Sequence, residues 1–172
     1  MKTTLKRVWK WNPCQDGWKK LLESLNKTEP DDEPISIEHI IDSNGIRDAI
    51  WALRATEGHD REIRLYAVWC ERHLMEDQRS IDALDVAERY ANGLATNQEL
   101  AAAWAAAWGD AAWAEAWDEA FAPAWDRAWA AARASASDTA RGAAWGAQEK
   151  ELRRVCQCIN AGVDPYPYTP KQ

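Results

Sequence analysis

The stretch Thr96-Asn97-Gln98-Glu99-Leu100-Ala101-Ala102-Ala103-Trp104-Ala105-Ala106-Ala107-Trp108 holds both a helix start and a helix interior. Thr96 and Glu99 stand at the spacing of a capping box, in which each side chain takes up a backbone N–H that the first turn leaves unpaired. Alanine, the best helix former, fills the places between the tryptophans. This Ala/Trp composition continues to Ala147 and predicts helix throughout. Its tryptophans pair four apart, as Trp104/Trp108, Trp113/Trp117 and Trp125/Trp129, with Trp145 beyond. Leu100, Trp104 and Trp108 share one helical face, while Trp113, Trp117 and Phe121 lie opposite, with Gly109 between the sets. Pro123 suits the first turn of a further helix. Asp110, Glu115, Asp118, Glu119 and Asp126 come before Arg127, Arg133, Arg141, Lys150, Arg153 and Arg154. An antiparallel hairpin would set these acids beside these bases, with alanines letting the axes approach closely. The expectation is an Ala/Trp-rich helical region over 97–161, its indoles packed inside.

Upstream, apolar spacing and caps mark further helices. Residues 1–13 read as a strap leading into a helix near Pro13, where Trp18, Leu21, Leu22 and Leu25 make one face. Residues 28–35 form an acidic, proline-bearing loop with little to pack. Ser36 caps a helix with Ile37, Ile40 and Ile41, stopped at Asn44-Gly45. Ile46, Ala49, Ile50, Trp51 and Leu53 mark the next helix, ended by Gly58. Asp60 opens a longer one lined by Ile63, Tyr66, Ala67, Trp69, Cys70 and Leu74. Glu76 to Arg79 reads as a polar turn, and Ser80 as the cap of a helix burying Ile81, Leu84, Ala87 and Ala91, with Gly93 beyond its end. Leu152, Val155 and Ile159 close the core before Gly162, and residues 163–172 form an extended, Pro-rich tail. Alternating strand patterns are missing. The fold class expected is all-α: a single-domain multi-helix bundle over 1–172 with the Ala/Trp-rich hairpin in its C-terminal half.

At 172 residues, one domain can bury a sizeable core. Twelve Trp against one Phe is unusual, and the net charge of -7 is unevenly spread. Residues 1–27 carry seven Lys/Arg against two Asp/Glu, while 28–58 carry two against eight. An acidic body argues against direct nucleic-acid binding, which draws on a cationic surface to release counterions. The longest uncharged run, Leu100 to Gly109, is half the ~20 residues that cross a bilayer. Met1 to Lys10 has lysines without an apolar run behind them, unlike a signal peptide. The chain is therefore expected in the cytoplasm, a reducing compartment, with Cys14, Cys70, Cys156 and Cys158 as free thiols.

Side chains that carry chemistry are few. Cys70 and His73 share a helix face, but a zinc site needs three or four ligands, so a structural thiol is the better reading. Cys156 and Cys158 fall on different helix faces, poor geometry for chelation or a disulfide. His39 and His59 have no nucleophile partner in the sequence pattern, and neither a phosphate loop nor a paired-His metal motif occurs. No catalytic residue, metal or cofactor is expected. A tryptophan stacking platform for bases needs basic residues between the aromatics, and the C-terminal series has Ala and acids there. The acidic face of Asp110, Glu115, Asp118 and Glu119 is the first candidate for contact with a partner. The loop acids Asp31, Asp32 and Glu33 are the second.

Two blocks carry a resemblance. One is His59-Asp60-Arg61-Glu62-Ile63-Arg64-Leu65-Tyr66-Ala67-Val68-Trp69-Cys70, continuing through Asp82 to Gly93 into the capping box and the Ala-rich helices. The other is Trp11-Asn12-Pro13-Cys14-Gln15-Asp16-Gly17 with Ser43-Asn44-Gly45 and Glu57-Gly58-His59-Asp60. In layout, residues 11–147 resemble the immunity proteins of bacterial toxin systems and phage or prophage proteins with the same domain. The family's Asp-Asp-x-Arg-Pro turn is here Glu76-Asp77-Gln78-Arg79-Ser80. The resemblance implies a non-catalytic neutraliser that docks on a protein effector, such as a toxin or a CRISPR-type host defence nuclease, and blocks it. The implied partner is a protein effector with a basic surface. The alternative is a structural or assembly protein that self-associates through its helices as a homo-oligomer.

Overall fold

Thr4 ends one element and starts the next. The computed structural model describes residues 1–72, 78–108 and 138–169. Strand β1 (Lys2–Thr4) runs into helix α1 (Leu5–Lys10), whose third backbone amide, Arg7 N–H, donates to the Thr4 hydroxyl at 3.2 Å. Strand β1 pairs antiparallel with β2 (Pro34–Ser36), with Lys2 opposite Ser36 and Thr4 opposite Pro34. This ribbon corrects the reading of residues 1–13 as a strap and of the chain as free of strands. Three-residue strands are too short to show an alternating pattern, and here they pair across some thirty residues of chain.

The remaining described elements are helices, so the architecture is an all-α, multi-helix bundle carrying one small ribbon. Helix α2 (Gln15–Ser24) turns Trp18, Leu21, Leu22 and Leu25 to the core. It ends with Asn26 at φ +53°, Asn26 N–H donating to Glu23 O and Lys27 N–H to Leu22 O, the paired bonds of a left-handed helix stop. The Ser36 hydroxyl accepts from His39 N–H at 3.0 Å and caps α3 (Ile37–Asn44). Helix α4 (Ile46–Ala52) follows at once and runs into a 3-10 turn (Leu53–Ala55). Then come α5 (Asp60–Arg72), α6 (Gln78–Ala91), α7 (Asn97–Trp108) and α8 (Asp138–Asn160).

Two clusters of buried side chains hold these elements. The larger joins α1 to α5 with α8 through Leu5, Ile37, Ile40, Ile50, Leu53, Ile63, Tyr66, Leu152 and Val155. Each aliphatic side chain so enclosed stabilises the fold by about 1.5–3 kcal/mol. The smaller cluster sets Val68 of α5 against Ala83, Leu84 and Ala87 of α6 and Leu100 and Trp104 of α7. Arg72 ties α5 to α6 by ion pairs with Asp85 at 2.7 Å and Glu88 at 2.8 Å.

The capping box is formed as read: Thr96 N–H donates to Glu99 at 2.8 Å, and Glu99 N–H to the Thr96 hydroxyl at 3.2 Å. Ser80 is not a cap. It lies within helix α6 (Gln78–Ala91) and is buried there. Among the described indoles, Trp104 and Trp145 of the Ala/Trp region are fully enclosed and partly buried respectively, Trp18, Trp51 and Trp69 are partly buried, and Trp9 and Trp11 of the N-terminal segment face solvent. The switch of helix face at Gly109 and the hairpin turn near Pro123 lie outside the described residues.

Candidate functional site

The two resemblance-bearing stretches around Cys14 and Asn44 meet in space. Pro13 leads into Cys14, whose extended backbone (φ -63°, ψ 146°) caps α2 without a side-chain hydrogen bond. Cys14 O accepts the first helical bond from Trp18 N–H at 2.9 Å. On the facing side, Gly45 serves both as the stop of α3 and the start of α4. Its φ of +93° costs a glycine little, and the sharp joint lets Asn44 and Asp48 reach the first turn of α2. The Asn44 amide is fully oriented: its oxygen accepts from the Ser43 hydroxyl at 2.8 Å. Its nitrogen donates to Gly17 O at 2.8 Å and Asp48 Oδ2 at 2.9 Å. A Cβ at Gly17 would lie 2.7 Å from Asp48 Oδ2 and 3.1 Å from Cys14 Sγ, so an added methyl would have to displace the tips of these two side chains. Thiol and carboxylate thus flank a single spot on α2.

Between α1, α2 and α4 this arrangement leaves a cleft of about 230 Å³, walled chiefly by Val8, Cys14, Trp18, Leu21, Asp48 and Trp51. It adjoins a shallower groove of about 580 Å³ bordered by Asp16, Lys20, Arg47 and Trp145. Trp9 and Trp11 stand nearby with 53% and 42% of their surface exposed. The Trp9 ring packs on Trp18 with centroids 5.0 Å apart. The Arg54 guanidinium lies 4.7 Å from the Trp51 ring and 5.7 Å from that of Trp11, and its Nε donates to Trp51 O. Stacking on two indoles holds a cation in a fixed place at a surface.

The candidate residues read from sequence fare differently. Asp31, Asp32 and Glu33 are drawn into pairs within the chain. Lys27 meets Asp31 and Glu33, each at 2.5 Å, and Lys6 meets Asp32. The bond to Asp31, then that to Glu33, raises the Lys27 ammonium above its ordinary range. Asp110, Glu115, Asp118 and Glu119 lie outside the described residues, as does His73. Cys70 is buried beside Tyr66, and burial pushes its thiol well up. Cys156 is fully enclosed, its thiol raised to about 11 by burial, whereas Cys158 is half-buried near Arg154. His39 Nε2 lies 2.9 Å from the Ser24 hydroxyl, and His59 sits 3.9 Å from Glu62. Among the described residues no group of three His, Cys, Asp or Glu could hold a metal ion. No described helix is long and apolar enough to cross a membrane.

A second polar cluster had no sequence signal beyond a Pro/Tyr tail. Glu151, 7% exposed on α8, accepts from the Tyr166 hydroxyl at 2.8 Å and from two nitrogens of Arg154, at 2.7 and 2.9 Å. Arg154 also stacks on Tyr166 at 5.3 Å and donates to Pro165 O. Arg61 donates to Asp164 at 2.9 Å and Tyr166 O at 2.7 Å. Two arginines therefore pin the tail to α5 and α8. Burial, then the Glu151 charge, pushes the Tyr166 phenol well up. Each polar group here is used in holding the tail, which makes the cluster a clasp.

Comparison with known proteins yields no match to a family model, a curated protein or a solved structure. The class of protein therefore rests on the fold and on the cleft.

Proposed function

We propose that this chain is a non-catalytic neutraliser, immunity-protein-like and carried by a phage or other mobile element. It docks on an effector, such as a toxin or a CRISPR-type host defence nuclease, and blocks it. The observation that carries the reading is the surface made by Trp9, Trp11 and Arg54 beside the Cys14–Asp48 cleft. Indoles left half in water forgo a large burial energy, and Trp and Arg are the residues that dominate protein interfaces once covered. The cleft's chemistry supports docking more than turnover: Cys14 and Asp48 line it without a histidine among the lining residues, while His39 and His59 are engaged by other residues. The acids at 31–33 are committed to Lys6 and Lys27, which moves the favoured contact face to the tryptophans. In the same reading, residues 97–161 form the Ala/Trp-rich hairpin, and Asp110, Glu115, Asp118 and Glu119 offer a second surface to basic parts of the effector.

The test is a challenge assay in bacteria expressing the chain and exposed to a panel of toxins and defence nucleases. The wild-type chain protects against at least one and co-purifies with it as a defined complex. A Trp9→Ser/Trp11→Ser variant with unchanged circular dichroism does neither. Failure of the wild-type chain across the panel overturns the reading. The alternative, self-assembly through the same indoles, is separated by light scattering: a strict monomer removes it.

A further inference from the structure

We propose that the tail clasp is a peptide-binding site filled in cis, and that the tail of a second copy takes the same place in an arm-exchanged dimer. The inference is independent of the docking reading, since no residue of the clasp belongs to the tryptophan face. The clasp has the parts of a recognition site. Arg154 and Arg61 donate to the backbone oxygens of Pro165 and Tyr166, at 3.0 and 2.7 Å. Such bonds hold an extended segment whatever its side chains. Two side chains are then read: Asp164 by Arg61 at 2.9 Å, and the Tyr166 hydroxyl by Glu151 at 2.8 Å. Glu151 is nearly enclosed on α8, and a buried carboxylate that loses a donor is costly, so the site selects a tyrosine. The tail belongs to no helix or strand, and Pro165 and Pro167 keep it extended before it docks.

The joint between α8 and the tail decides which clasp is filled. Helix α8 stops at Asn160, with Gly162 N–H donating to Ile159 O and Val163 N–H to Cys158 O. Gly162 sits at φ +70°, and Ala161, Gly162 and Val163 are all exposed. This turn lays the tail back along α8, so that residue 166 meets residue 151. If residue 162 instead continues the helix, the tail is carried away from its own clasp and toward that of another chain. A second copy remakes every clasp bond unchanged, and only the joint differs between the two forms. A left-handed φ costs glycine little and other residues more. A Cβ at Gly162 meets nothing within 4 Å, so Gly162→Ala acts on that backbone angle alone, and alanine favours the continued helix. With glycine in place, a tail on so short a tether competes at an effective concentration of ~1 mM. The wild-type chain therefore dimerises only toward that concentration.

Sedimentation equilibrium of the full chain, up to ~1 mM, reads the exchange. Gly162→Ala is expected to bring the monomer–dimer midpoint down about tenfold or more, and adding Trp9→Ser/Trp11→Ser is expected to leave it there. Two further chains carry Gly162→Ala, one with its clasp broken by Arg61→Ala, the other with its tail broken by Asp164→Ala/Tyr166→Phe. Mixed, they regain one intact clasp between them, and are expected to dimerise about fivefold or more tightly than either alone. A Gly162→Ala chain no more dimeric than wild type overturns the inference, as does a mixture no better than its components. Loss of the dimer with the two tryptophans would assign the association to the indoles instead. Should either broken chain lose its circular dichroism, a labelled synthetic peptide of residues 163–169 replaces the mixture. It is expected to bind the Gly162→Ala chain more tightly than wild type, and more tightly than its own Tyr166→Phe version does. Equal binding of the two peptides, or binding of neither, overturns the inference.

Discussion

Replacing Gly17 with alanine sets two effects of similar size against each other. Within a helix the change is worth up to about 1 kcal/mol in favour of alanine, through reduced backbone entropy in the unfolded chain. Against it, the new Cβ would lie 2.7 Å from Asp48 Oδ2 and 3.1 Å from Cys14 Sγ. The exposed Cys14 side chain can rotate away. Asp48 is held by the Asn44 amide at 2.9 Å and must give up or stretch that bond. A hydrogen bond to a charged group contributes about 1.5–3 kcal/mol, toward the lower end at a half-exposed site such as this. The clash therefore wins, and Gly17→Ala is expected to destabilise the chain by about 0.5–1.5 kcal/mol. With Asp48→Ala already in place the obstacle is gone, and the same substitution is expected to stabilise by about 0.5–1 kcal/mol. Urea unfolding of the four proteins of this double-mutant cycle, followed by far-UV circular dichroism, reads the reversal of sign directly. A stabilising Gly17→Ala in the wild-type background, or the same effect in both, would refute the packing of Asp48 against α2 and with it the floor of the cleft.

Brief iodoacetamide treatment of the folded chain, read by mass spectrometry, should modify Cys14 first and leave Cys70 and Cys156 untouched, since burial encloses both and raises their thiols. Equal rates for Cys14 and Cys70 would contradict the burial of α5. Tyr166→Phe removes one bond to the buried Glu151 carboxylate and should lower stability by about 1–2 kcal/mol; an unchanged urea midpoint would show that the tail is not clasped. Acid should act in two stages. Burial, as the largest cause, holds the His59 imidazole below its ordinary 6.5, so the unfolded chain binds the proton first and stability declines as pH falls below that value. Asp31, Glu99 and Asp164 are held below their ordinary carboxylate values by Lys27, Thr96 and Arg61 respectively. Their contribution is present above those values and is lost as pH falls through the lowered ones. His59→Gln should abolish the first stage and spare the second, as urea midpoints across a pH series would show.

What was legible in the chain was what is local. The Ser36 cap, the Thr96/Glu99 box and the stop at Gly93 each lie within a few residues of the atoms they satisfy, so sequence spacing states them outright. The apolar faces of α2, α3 and α5 follow from period alone, because a core on one side demands it. The ribbon did not show, since β1 and β2 are short and find each other only after the intervening loop has closed. Ser80 misled for a physical reason: a hydroxyl suits a cap, but here it is carried into the helix and buried. The exposure of Trp9 and Trp11 was hidden by composition, which says that tryptophan is usually enclosed but not which copies are left out. The cleft is non-local in the same way. Cys14, Gly17, Asn44 and Asp48 are ordinary residues until the Gly45 joint folds α4 against α2. The cue available in advance was that Asn12-Pro13-Cys14 and Asn44-Gly45 both interrupt helices where a chain turns.

The docking claim is tested most directly by photocrosslinking in cells. A benzophenone amino acid in place of Trp11 is compared with the same group in place of Val163, which is also exposed but on the tail. Under a challenge that the chain neutralises, position 11 is predicted to capture the effector and position 163 to capture nothing. Capture from 163 alone, or from neither position while the cells remain protected, would contradict a contact made through the tryptophan face.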